Sequence, residues 1–63
     1  MTKEELISEE LCLNLEDFHE GRLKKEEIMV RNYELLLWQN GTEVDSKYMK
    51  MVLCRYARKM KEI

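Results

Sequence analysis

Cys12, Glu16 and His19 are the residues of this 63-residue chain whose types and spacing could do chemistry. Seven positions, two helical turns, separate Cys12 from His19, and Glu16 falls near the line between them, so a helix would present all three on one face. A thiolate, an imidazole and a carboxylate so placed could hold a metal ion or form a Cys-His nucleophilic pair. Both readings need more than the sequence offers. A zinc site takes four ligands at recognisable spacing and only Cys54 could complete the set, while a dyad on an exposed helix lacks a pocket and an oxyanion hole. A chain this short also has little room for a ligand cleft of ordinary volume. The expectation is therefore no enzyme, no metal and no cofactor, with a solvent-facing His19 and Cys12 and Cys54 buried as packing residues.

The elements that position these side chains are read from hydropathy and turn residues. From Ile28 to Trp38, the sequence IMVRNYELLLW nearly encircles a helix with apolar side chains, and such a helix has to be covered on more than one side. Before it, Thr2 and Glu5 form a capping box, the hydroxyl accepting the amide proton of residue 5 and the carboxylate returning to the Thr2 amide. Ile7, Leu11, Leu15 and Phe18 then make an apolar stripe, and Gly21 suits the left-handed residue that ends a helix. The next helix starts at Lys24 to Glu27 without a good cap. Asn40-Gly41 stops it, and Thr42 or Asp45 caps a third, whose Met49, Leu53 or Val52, Tyr56, Met60 and Ile63 form a heptad-like seam.

This pattern predicts an all-α, single-domain chain over residues 1–63, a three-helix fold with helices near 3–20, 24–39 and 43–62, antiparallel neighbours joined by short turns. The alternative runs the first helix through Gly21 to residue 39, at about 1 kcal/mol relative to Ala. It would give a helical hairpin that dimerises into a four-helix bundle. The absence of proline and the presence of only two glycines agree with helix throughout.

Apolar residues at 44% and charged residues at 38% exclude a disordered chain. No apolar run approaches the ~20 residues of a membrane span, and the start MTKEE has no secretory signal character, so the expected location is cytoplasmic. Net charge is −2, unevenly distributed. Residues 1–20 carry seven acids against Lys3, whereas residues 45–63 carry six bases against Asp45 and Glu62. An acidic first helix and a basic third helix lying side by side would attract one another.

Two functional readings follow. The first is a small non-catalytic regulator, adaptor or inhibitor that binds a protein partner, in the size class of phage- or mobile-element-type host-interaction factors. Its contact residues would be the acidic Glu9, Glu16, Asp17 and Glu20, with Met29, Tyr33 and Trp38 as an aromatic and methionine anchor. The methionines and aromatics are many for so small a core, with Met60 and Tyr56 assigned to the core. A homodimer through Trp38 and the leucine run, or through the third-helix seam, is also expected because small domains bury little surface. The second reading is a helix-turn-helix-like nucleic-acid binder using Lys47, Lys50, Arg55, Arg58, Lys59 and Lys61. Glu43 and Asp45 at the start of that helix, where a recognition helix meets phosphates, oppose it.

Overall fold

Each break in helicity is made by a glycine. The structure, a computed structural model, describes residues 2–61 and contains three helices: α1 (Lys3–His19), α2 (Lys25–Gln39) and α3 (Lys47–Lys61). Gly21 has φ +80° and Gly41 φ +88°, the left-handed region that other residues avoid. At the first break Gly21 N–H donates to the Phe18 carbonyl (3.2 Å) and Arg22 N–H to the Asp17 carbonyl (2.8 Å). The second repeats it, Gly41 to Trp38 (3.0 Å) and Thr42 to Leu37 (2.9 Å), so both ends are Schellman motifs. The chain thus turns at Gly21 and does not continue as one helix to residue 39.

The N-terminal ends use three different caps. Thr2 Oγ1 accepts from Glu5 N–H at 3.2 Å, and the Glu5 carboxylate turns to the Thr2 hydroxyl (3.1 Å), where the sequence predicts a bond to its amide. At α2 the Lys24 side chain has no acceptor, and Glu27 instead receives the Lys24 N–H at 3.0 Å. Ser46, not Thr42 or Asp45, caps α3: its Oγ accepts from Met49 N–H (3.0 Å) and donates to Glu34 (2.5 Å). The helix accordingly starts at Lys47, four residues later than expected; Glu62 and Ile63, also assigned to it, lie outside the described residues.

Residue pairings give the topology. Lys3 lies over the Trp38 ring and Asn14 meets Asn32, so α1 and α2 are antiparallel. Tyr48, Arg55 and Lys59 meet Asn14, Glu10 and Glu9 in reverse order, so α3 is antiparallel to α1. Against α2 the order runs forward, Arg31 with Tyr48 and Trp38 with Tyr56. The expected antiparallel arrangement of neighbours therefore fails for α2 and α3. Residues 42–46 lead the chain back along α2, with Val44 packed on the core and Ser46 bonded to Glu34, before α3 begins.

Leu6, Ile7, Leu35, Met49 and Val52 form the core, with Leu11, Trp38, Val44, Tyr48 and Tyr56 packed around them. Two polar side chains are equally buried. Glu10 and Asn14 continue the inward row begun by Leu6, at steps of four. Both oxygens of Glu10 accept from Arg55 Nη1 (2.6 and 2.7 Å), and Asn14 Nδ2 donates to Asn32 Oδ1 (3.2 Å) and Tyr48 Oη (3.1 Å). No buried side-chain polar atom lacks a partner among the described residues. With Glu10 and Asn14 inside, the anticipated α1 stripe rotates away, leaving Leu15 and Phe18 exposed. On α3, Val52 is the seam residue, while Leu53 and Met60 are exposed, against the core assignment of Met60.

Burial pushes the Tyr48 hydroxyl above its ordinary value of 10.0, against the opposing pull of its hydrogen bond from Asn14. A folded-state value above the unfolded one means that the unfolded chain holds fewer protons once pH passes the ordinary tyrosine range. Stability contributed by neutral Tyr48 is then complete below about pH 10 and declines as pH rises through the folded value. Chemical denaturation from neutral to strongly alkaline pH should show a fall in midpoint that Tyr48→Phe reduces. An equal fall in both proteins would assign the alkaline loss to other groups.

Candidate protein-binding surface

The outward side of α2 is apolar, and the polar residues flanking it are engaged elsewhere. Ile28 and Leu35 point into the core. On one flank Arg31 stacks on the Tyr48 ring, 4.7 Å from its centroid, and Glu34 receives the Ser46 hydroxyl. On the other Asn32 accepts from Asn14. Opposite the core stand Met29, Val30, Tyr33 and Leu36, exposed by 62, 55, 62 and 49%. Leu37 and Val44 join them as the walls of a shallow groove edged by Asn32 and Glu34. The helical period places only Glu26 and Asn40 on this face besides, one at each end.

Of the residues assigned to partner binding, Met29 and Tyr33 meet on this face. Trp38 does not: it packs inward, edge-on to Tyr56 with ring centroids 5.6 Å apart, under the Lys3 ammonium at 4.8 Å. The four acids do not form a common rim. Glu9 is drawn to Lys59 (2.9 Å), and Arg22 binds both Asp17 (2.7 Å) and Glu20. The strain that acids at the end of α1 put on its dipole is thus offset locally by Arg22. Glu16 has no ion pair among the described residues. Val30 was missed by sequence reasoning, and Leu36 entered only within the leucine run assigned to a homodimer, because such a run gives no sign of which apolar side is left uncovered.

The basic residues of α3 are similarly committed. Arg55 is bound by Glu10, Lys59 by Glu9 and Lys50 by Asp45 (3.2 Å), leaving Lys47, Arg58 and Lys61 without such a bond among the described residues. Three cations spread along one helix are a meagre footprint for a phosphate backbone. Cys12 and Cys54 are both exposed free thiols, contrary to the buried packing role expected of them. No cluster of three or more His, Cys, Asp or Glu side chains suited to a metal occurs among the described residues, and no helix there is long and apolar enough to cross a membrane. No family model, curated protein or solved structure matches the chain.

Proposed function

We propose that this protein is a small non-catalytic regulator or adaptor that acts by binding protein, with the outward face of α2 as its docking surface. The observation that carries this reading is the row Met29, Val30, Tyr33 and Leu36, large apolar side chains standing side by side in water. Contiguous exposed apolar surface rimmed by polar residues marks interaction sites in folded chains. The side-chain types agree, since methionine and tyrosine are enriched at interface centres and charge is depleted there. Binding through such a face acts by covering or tethering the partner.

Photo-cross-linking tests the surface directly. A photoreactive phenylalanine analogue in place of Tyr33 should give one or a few discrete adducts in cells, while the same group in place of Glu16 should give none. Adducts at both positions in equal yield, or at neither, would remove the α2 face as a docking surface.

A further inference from the structure

We propose that the α2 face is completed by a second copy of this chain, the two α2 helices packing antiparallel about a two-fold axis that passes beside Tyr33. The inference rests on the reading of that face as a docking surface and names its occupant. An isologous contact requires a patch complementary to itself. In antiparallel register about Tyr33, Met29 of one copy lies against Leu37 of the other and Val30 against Leu36, with the two Tyr33 rings meeting on the axis. The one charged residue of the face, Glu26, is brought to the partner's Asn40, whose amide can donate to it, and not to its own counterpart. A parallel arrangement would instead align Glu26 with Glu26 and place two helix dipoles side by side.

Surface area points the same way. The chain exposes 4811 Å², against roughly 4300 Å² expected of a compact monomer of this mass. Its radius of gyration is 11.7 Å, where about 10.6 Å is usual for this length. A pairing that covered about 500 Å² on each of two copies would bring each to the surface of a compact chain and bury about 1,000 Å², the size at which specific interfaces begin. A face whose centre carries no charge also fits a partner that is itself uncharged at the contact, as a second copy is.

Light scattering on the intact chain, at several concentrations and at low and high salt, tests the pairing. The expected mass is twice 7.7 kDa, insensitive to salt, and that of one chain for Tyr33→Glu at unchanged helicity. In a Cys12→Ser/Cys54→Ser background, Tyr33→Cys should oxidise to a covalent dimer and Leu53→Cys should not. A monomer at every concentration overturns self-pairing and leaves the docking surface to the cross-linking result. A dimer that survives Tyr33→Glu and gives no disulfide at position 33 places the contact elsewhere and overturns self-pairing through α2, again leaving the docking surface to the cross-linking result.

Discussion

Arg55→Ala should cost the protein more than half of its stability. Glu10 is 1% exposed, and within the described residues both of its oxygens bond only to Arg55 Nη1. Removing the guanidinium strands a carboxylate inside a core of a few apolar residues, and a broken buried pair costs about 3–5 kcal/mol. Arg55 itself is 40% exposed in its side chain, so water can reach the vacated position and the lower end, about 3 kcal/mol, applies. A domain of this size has about 5 kcal/mol to lose. Replacing both partners, Glu10→Leu with Arg55→Met, should by contrast be neutral or stabilising, because the pair itself gains little over apolar packing of the same volume. Urea denaturation followed by circular dichroism distinguishes the three proteins. An unchanged urea midpoint for Arg55→Ala would show that the Glu10 carboxylate is hydrated in solution.

Adjacent leucines give the second contrast. Leu35 is 0% exposed and Leu36 49%, one residue and 100° of helix apart. Leu35→Ala removes three buried carbons from the centre of the core, a loss of about 2–5 kcal/mol with the cavity included. Leu36→Ala should change the stability of the single chain by no more than about 0.5 kcal/mol. Its effect should fall on association, since the proposed pairing sets Leu36 against Val30 of the second copy. Thermal melts at low concentration, compared with the concentration dependence of mass, separate the two outcomes. Equal destabilisation by both would mean that α2 has no outward face.

Helix number, and the helix ends set by Thr2, Gly21 and Gly41, were legible because the chemistry that sets them is local. Gly21 and Gly41 act through their own φ angles, and Thr2 through an amide three residues away. The inward face of α1 was not legible. A stripe of Ile7, Leu11, Leu15 and Phe18 satisfies helical periodicity better than Leu6, Glu10 and Asn14, and only the arrival of Arg55, Asn32 and Tyr48 makes the polar row tolerable inside. The attraction between acidic α1 and basic α3 was readable in bulk, but not that one of its carboxylates would be buried. The start and direction of α3 were missed for the same reason: Ser46 caps it and ties it to Glu34, and that tie folds residues 42–46 back along α2. The doubly apolar character of α2 was plain from composition, yet which side meets the core depends on where α1 and α3 lie.

The clasp between Glu10 and Arg55 also sets an order of assembly. Glu10 and Arg55 stand 45 residues apart in the chain, so closing the loop between them costs more entropy than joining the neighbouring helices α1 and α2. The turn at Gly21 lets α1 and α2 meet early through contacts close in sequence, which favours speed. At that stage the Glu10 carboxylate has no cation and keeps its water, so the half-built core stays wet along one edge. Docking of α3 expels that water and supplies the guanidinium in the same event. The buried charge therefore keeps the core from closing until α3, which carries the cation that neutralises it, has docked.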